Sequence, residues 1–124
     1  MKFVNKMDKF TLEDRLVDFA VLIISIVNNI PKTKAGNHLS GQLIRCGTSP
    51  SLNYAEAQSG ESRKDFIHKM KICLKELRET YVCLKIIEKA KLYKDLDIIS
   101  KAKKENNELI SIFVKSVETA QSRL

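Results

Sequence analysis

The sequence predicts an all-α fold, an antiparallel up-down bundle of four helices in which the second helix is kinked at Pro50. The chain offers little turn chemistry, with two prolines, four glycines and no tryptophan among 124 residues. Apolar residues recur every three or four positions in four long segments separated by short breaks. This length has room for one core, so we expect residues 11–124 to form one domain and residues 1–10 to fray.

The first helix is predicted over residues 12–29. Thr11 and Asp14 have capping-box spacing at its start, and Pro31 stops its continuation. Its core stripe is Leu12, Leu16, Phe19, Ile23, Ile26 and Ile30. A second apolar stripe lies well round the helix and consists of Val17, Val21 and Ile24. Because a surface helix of a small monomer needs only one such stripe, we interpret the second as packed on another subunit; the alternative is a helix central in its own domain.

The second helix is predicted over residues 37–57. Its apolar positions include Leu39, Leu43, Cys46 and Leu52. Pro50 lies inside it, where proline removes one hydrogen bond and pushes against the carbonyl group of Cys46. A kink is therefore expected at this point; the alternative is two shorter helices.

A polar ladder follows one side of the second helix at spacings of three or four residues: Gln42, Arg45, Ser49, Asn53 and Glu56. We interpret it as a structural network. Arg45 and Glu56 are too far apart to pair with each other and are expected to bond another helix, for example at Glu79 or Arg78. Asn53 or Ser49 is expected to bond backbone groups near Pro50, and direct ligand contact by the ladder is the alternative.

The third helix is predicted over residues 63–91, with a capping-box start at Ser62 and Asp65. Gly60, in the preceding connection, is expected to adopt a positive φ. The core face of this helix is Phe66, Met70, Cys73, Leu77, Tyr81 and Leu84. The fourth helix is predicted over residues 96–122, with these residues inward: Ile99, Ala102, Leu109, Phe113, Val117 and Ala120. Asn106 falls on that inward stripe, either as a buried polar residue that sets register or at the edge of the stripe.

A basic stripe runs along the third helix, opposite its core face. The net charge of +7 is concentrated in residues 61–94, which hold ten Lys and Arg against five Asp and Glu. The stripe consists of Lys64, His68, Lys71, Lys75, Arg78, Lys85 and Lys89. Aligned cations bind phosphate backbones with little sequence dependence, so we predict an RNA or DNA site here. The alternative is a solvated face that aids solubility and pairs with its acidic neighbours. No aromatic residues interleave with the stripe, so base stacking is not indicated.

An apolar patch on the outer half of the third helix predicts a subunit interface. Val82 and Ile86 are one turn apart there, and Ile72 lies close in angle. Together with the second stripe of the first helix, they give the predicted oligomer interface: Val17, Val21, Ile24, Ile72, Val82 and Ile86. We therefore expect a homo-oligomer.

The sequence contains no convincing catalytic or metal-binding motif. Ser49 lacks a nucleophile-elbow context, and the one conceivable acid–base pair is Glu56 with His68 or His38, so we predict no enzymatic activity and no cofactor. Three cysteines without CxxC spacing indicate buried, reduced thiols in a cytoplasmic protein with no metal site: Cys46, Cys73 and Cys83. The longest apolar run, residues 19–27, is well short of the roughly 20 residues that cross a bilayer, so neither a signal peptide nor a membrane association is expected.

Several residue groups resemble the four-helix-bundle family of 23S rRNA intervening-sequence proteins: Gln42-Leu43-Ile44-Arg45, Ser49, Asn53-Tyr54-Ala55-Glu56, Ser62-Arg63-Lys64-Asp65-Phe66-Ile67 and Glu79. The chain departs from that pattern at Ala57, where the family has glycine, and at Lys75-Glu76, where it has Gly-Ser. Pro50 also falls one place earlier than is usual in the family.

The resemblance implies a bacterial protein that assembles as a homopentameric ring, with no catalytic residues to carry over. A related branch serves diversity-generating retroelements as an accessory protein, contacting a reverse transcriptase and nucleic acid through a basic surface. We therefore expect the partners to be other copies of the chain, RNA or DNA, and a reverse transcriptase or another protein. The alternative is a protein-interaction scaffold with no role in nucleic-acid binding.

Overall fold

The computed structural model describes the backbone of residues 6–124 and the side chains from residue 12 onward. This part of the chain contains four α-helices and no strand: α1 (Lys6–Asn28), α2 (Lys34–Gln58), α3 (Arg63–Lys89) and α4 (Leu96–Gln121). The predicted all-α class and helix order are confirmed. The start predicted for the first helix is wrong, since α1 begins at Lys6 and Thr11 lies inside it. Nothing between Lys6 and Thr11 breaks a helix, so the helix extends past the predicted cap. Residues 1–5 of the segment expected to fray lie outside the described part.

Side-chain caps fix the starts of the other three helices. Thr33 Oγ1 accepts a hydrogen bond from the Gly36 N–H at 3.0 Å. Ser62 Oγ accepts from the Asp65 N–H at 3.1 Å, which confirms the predicted start of α3. Asp95 Oδ1 accepts from the N–H of Ile98 at 3.2 Å. Each bond satisfies one of the backbone donors that a helix start leaves free.

The expectation that Gly60 adopts a positive φ is wrong. No glycine in the described residues does so; the left-handed residue is Lys91, with φ 56°. The N–H groups of Ser59 and Gly60 instead bond back to carbonyls three residues earlier, which ends α2 without a left-handed residue. After α3, the N–H of Lys91 bonds the Glu88 carbonyl and the N–H of Leu92 bonds the Ile87 carbonyl, which is the Schellman pattern.

Helix α2 runs without interruption through Pro50, which excludes the alternative of two shorter helices. The kink itself stays a prediction. As expected, Asn53 bonds the backbone locally, because its Nδ2 donates to the Ser49 carbonyl oxygen at 3.2 Å. The carbonyl oxygen of Pro50 accepts from Cys73 Sγ at 3.5 Å. Side chains therefore engage the backbone on both sides of the proline.

The helices form a bundle in which sequence neighbours lie side by side. α1 packs against α2 and α4, and α3 packs against the same two, so α1 and α3 occupy diagonal positions in the described structure. α2 and α3 are antiparallel, because Glu56 meets Lys69 at one end and the Leu39 carbonyl meets Cys83 at the other. At the α1–α2 contact, Gly47 lies so close to Ile23 that a Cβ atom on the glycine would stand 2.8 Å from two of its carbons.

The predicted core stripe of α1 is fully confirmed, and Asn106 of α4 is buried with no exposed surface. Its Nδ2 donates to the Leu77 carbonyl oxygen at 3.0 Å, whereas its Oδ1 has no partner among the described residues. Asn106 is therefore a buried polar residue and does not lie at the edge of the stripe. Tyr81, predicted in the core, is only half-buried.

Candidate functional site

The basic stripe lies on the solvent side of α3. All seven of its residues are exposed, whereas the opposite side of the helix packs into the core. Lys64, Lys71, Arg78 and Lys85 repeat every seven residues, which keeps them on one side of a helix. The stripe is therefore accessible along the length of α3, and its role in binding stays a prediction.

The carboxylates near the stripe are bonded by cations from the neighbouring helices. Arg45 of α2 donates from Nη1 to Glu76 Oε2 and from Nη2 to Glu79 Oε2, both at 2.7 Å. Lys103 of α4 donates to Glu88 Oε1 at 2.8 Å. The hydrogen bond that Arg45 donates to Glu79 and the charge of Glu76 raise the pKa of Arg45, and the hydrogen bond that Lys103 donates to Glu88 raises the pKa of Lys103.

The stripe is consequently not neutralised by its own helix. Among residues 12–124, no salt bridge joins any of its cations to a carboxylate. The ion pairs suggested by the alternative interpretation are therefore not seen in this part of the chain. Glu76 and Glu79 are bonded by Arg45, and Glu61 and Asp65 are exposed at the start of α3 without a salt bridge to the stripe. Lys85 makes a different contact, with its Nζ 5.7 Å from the centre of the Tyr81 ring.

The polar ladder lies along the edge of α2 that faces α3. The predicted bond from Arg45 to Glu79 is confirmed, and Gln42 Oε1 accepts a longer bond from Arg45 at 3.5 Å. Glu56 reaches α3 at Lys69, at 2.7 Å, and not at the residues suggested from sequence. Arg45 and Glu56, the two charged members of the ladder, thus join α2 to α3, and direct ligand contact by the ladder stays untested.

Sequence reasoning missed Glu76 as a partner of Arg45. This carboxylate occupies one of the positions where the chain departs from the resembled pattern, and the residue is only 9% exposed. The signal that could have identified it is the i,i+3 spacing of Glu76 and Glu79, which places both carboxylates on the same side of α3.

An open groove of about 840 Å³ adjoins the stripe, between α2 and the outer side of α3. Its apolar lining includes Leu39, Leu74, Val82, Cys83 and Ile86. Three cations of the stripe, Lys71, Lys75 and Arg78, also line it, whereas Lys64, His68, Lys85 and Lys89 do not. The stripe therefore has one part that borders an apolar surface and another that faces solvent alone. Leu39 and Leu74, at the edges of their core stripes, were not identified from sequence as groove residues.

The predicted interface residues fall on two separate faces. Val17, Val21 and Ile24 of α1 are 47%, 59% and 39% exposed, and Val82 and Ile86 of α3 are 54% and 46% exposed. Ile72, the sixth of them, is half-buried. Both faces leave large apolar side chains in water, and their role as interfaces stays a prediction.

The three cysteines are free and buried. Burial raises the pKa of the Cys73 thiol to about 12 and that of Cys83 to about 11, so both thiols keep their protons at neutral pH. Within the described residues, no group of three His, Cys, Asp or Glu side chains is placed to hold a metal ion. Glu56, one half of the conceivable acid–base pair, is engaged by Lys69. None of the described helices has the length and apolar character to cross a membrane.

Comparisons with known proteins agree on one family. Residues 9–115 match the model of the family described as 23S rRNA-intervening sequence protein. One similar solved structure is a protein of unknown function from the S23 ribosomal protein family of Bacteroides thetaiotaomicron, with 25% identity and a TM-score of 0.80. That match covers 89% of this chain and 97% of the other. No curated protein is similar enough to count as a relative.

Proposed function

This chain belongs to the 23S rRNA-intervening sequence protein family, and we propose that it is a non-enzymatic homo-oligomer that binds RNA or DNA through the basic stripe of α3. The observation that carries the proposal is the stripe without salt bridges. Six lysines and arginines and His68 face solvent along α3, while the nearby carboxylates of Glu76, Glu79 and Glu88 are bonded from other helices.

A phosphate backbone is the ligand that suits such a surface. Each phosphate that is neutralised by a cation releases condensed counterions, which gives affinity that depends steeply on salt and weakly on sequence. The stripe has no interleaved aromatic side chains, so stacking on bases does not add to binding. The proposed ligand is therefore recognised by its charge and spacing, and RNA and DNA both qualify.

Assembly into an oligomer would strengthen binding through a site that is weak in a single copy. The family resemblance suggests five copies, each of which would present the same cations to one polyanion. Second and later contacts then form at a high effective concentration, so the affinity of the assembly exceeds that of one copy. The resemblance also suggests a reverse transcriptase as a protein partner, with this protein as its accessory factor.

The test uses labelled RNA and DNA duplexes titrated by fluorescence anisotropy from about 50 to 300 mM salt. The test variant is Lys64→Gln with Lys71→Gln, two cations one heptad apart on the stripe. The matched control is Lys101→Gln with Lys104→Gln, two exposed lysines of α4 that change the net charge equally. Lys101 and Lys104 border α1, with Asp18 and Phe19, and not α3.

We expect the test variant to bind more weakly and to lower the slope of log affinity against log salt by about 2, with little change in the control. Equal losses of affinity in the two variants would show that binding depends on net charge and not on the position of the stripe, and would contradict the proposal.

The second candidate is a protein-interaction scaffold, which is favoured by the exposure of Val82 and Ile86 beside the groove. It predicts no affinity for either duplex even at the lowest salt, together with binding to a protein partner that survives nuclease treatment.

A further inference from the structure

The outward face of α1 has the spacing of a coiled-coil seam. Asp14, Val17, Val21, Ile24 and Asn28 are separated by three, four, three and four residues, and all five are exposed. The three apolar members form its centre, with Val21 the most exposed at 59%. Acidic side chains mark its N-terminal end: Glu13, Asp14 and Asp18. This face is apolar in the middle and negative at one end.

The outward face of α3 has the same spacing and the opposite charge. Lys75, Arg78, Val82, Lys85 and Lys89 follow one another at intervals of three, four, three and four residues, and all are exposed. Val82 stands at the centre of the five, 54% exposed, with cations on both sides. This face is therefore apolar at its centre and positive at both ends.

The two faces can meet only between different copies. α1 and α3 lie at diagonal positions of the bundle, so their outward faces point away from each other in one chain. Paired with itself, the α3 face would oppose cations to cations in either helix direction. The α1 face would offer its own carboxylates no cation, since Asp14 would meet Asp14 in a parallel pair and Asn28 in an antiparallel one. Pairing unlike faces removes both apolar centres from water and places carboxylates beside lysines.

We propose that the outward face of α1 in one copy docks on the outward face of α3 in the next copy, with Val21 opposite Val82. Asp14 then faces a lysine in either helix direction, Lys75 if the helices are parallel and Lys89 if they are antiparallel. This contact rests on the homo-oligomer in the proposed function and identifies the surfaces that build it. Since each copy uses a different face toward each neighbour, the contact is heterologous, as a closed ring requires.

In this contact, one part of the basic stripe binds the neighbouring copy and the other part stays free to bind nucleic acid. The α1 seam from Asp14 to Asn28 is about 21 Å long, and centred on Val82 it covers α3 from about Lys75 to Lys89. Lys64, His68 and Lys71 stay outside the contact as one cluster per copy. Nucleic acid then binds the assembled protein at this uncovered end of the stripe.

Cysteine cross-linking between two separately purified variants tests the contact. One variant carries Val21→Cys and the other carries Val82→Cys, and the two are mixed and treated with a short bis-maleimide. Wild type is the background control, because it reports any reaction of the three native cysteines, which are buried but include the groove residue Cys83. A mixture of Val21→Cys with Leu52→Cys is the matched control, since Leu52 is 65% exposed on α2 but belongs to neither face.

We expect a covalent dimer in the mixture of Val21→Cys with Val82→Cys and none in the control mixture. A chain that carries both substitutions should give a ladder of higher oligomers. Cross-linking of Val21→Cys alone, or equal yields in the two mixtures, would overturn the proposed contact. If the cross-link between residues 21 and 82 is absent but RNA binding is intact, the proposed contact is wrong and the nucleic-acid function is retained. If the cross-link forms but RNA does not bind, the contact is retained and the nucleic-acid function is wrong.

Discussion

Replacing Gly47 with alanine tests how tightly α1 and α2 pack. The new Cβ would lie 2.8 Å from both Cγ1 and Cγ2 of Ile23, whereas ordinary contacts between such atoms are longer than about 3.4 Å. Ile23 is fully buried, and because both of its branches are in the way, rotation about χ1 relieves at most one of the two contacts. Overpacking of this kind costs about 1–3 kcal/mol of unfolding free energy.

Gly41→Ala is the matched control. A Cβ at Gly41 would meet nothing within 4 Å, and the residue is exposed within the same helix. Both substitutions gain about 1 kcal/mol of helix propensity, so the difference between them isolates the steric cost. We expect Gly47→Ala to unfold at lower urea, with a free energy about 1–3 kcal/mol below that of Gly41→Ala, by circular dichroism at one protein concentration. Equal stability of the two variants would refute the close approach of α1 and α2.

Three further predictions concern stability. Asn106→Leu removes a buried amide oxygen without a partner, which costs more free energy than the lost hydrogen bond from Nδ2 to the Leu77 carbonyl oxygen contributes. We therefore expect the unfolding free energy to rise by about 1 kcal/mol relative to the exposed control Asn107→Leu, and a lower value would contradict an unbonded amide oxygen. Lys91→Gly should raise the unfolding free energy by about 1 kcal/mol in the same urea assay, because glycine adopts the left-handed backbone conformation without a steric cost. An unchanged unfolding free energy would contradict the φ of 56°. The unfolding free energy should fall as pH rises from 9 toward 12, because the thiol of Cys73 loses its proton at lower pH in the unfolded chain than in the folded one. Cys73→Ala should make this fall less steep, and an unchanged pH profile would contradict the raised pKa of Cys73.

The fold followed from sequence because apolar spacing and stop signals agreed along the chain. Leu12, Leu16 and Phe19 repeat at helical intervals, and all three are buried. Ser62 with Asp65 marked the start of α3 through the chemistry of capping. The start of α1 was misplaced because Thr11 has the same cap chemistry, yet nothing before it interrupts the helix.

Contacts between helices were harder to predict because they depend on the relative rotation of two elements. Arg45 was expected to reach α3, but its bond to Glu76 required knowing which side of α3 faces α2. The left-handed Lys91 was missed for a related reason, since glycine is the usual residue there and lysine gives no local signal. The exposed basic stripe was predictable because it depends on one helix alone. Its freedom from salt bridges was not, because the competing cations come from α2 and α4.

The salt dependence of wild-type binding to two RNA duplexes of unrelated sequence tests the proposal that the basic stripe binds a phosphate backbone. We expect similar affinities for the two duplexes and a steep loss of affinity between about 50 and 300 mM salt, with a log–log slope of about −3 or steeper when several cations of the stripe contact phosphates. A flat salt response, a strong preference for one sequence, or no binding at the lowest salt would contradict it.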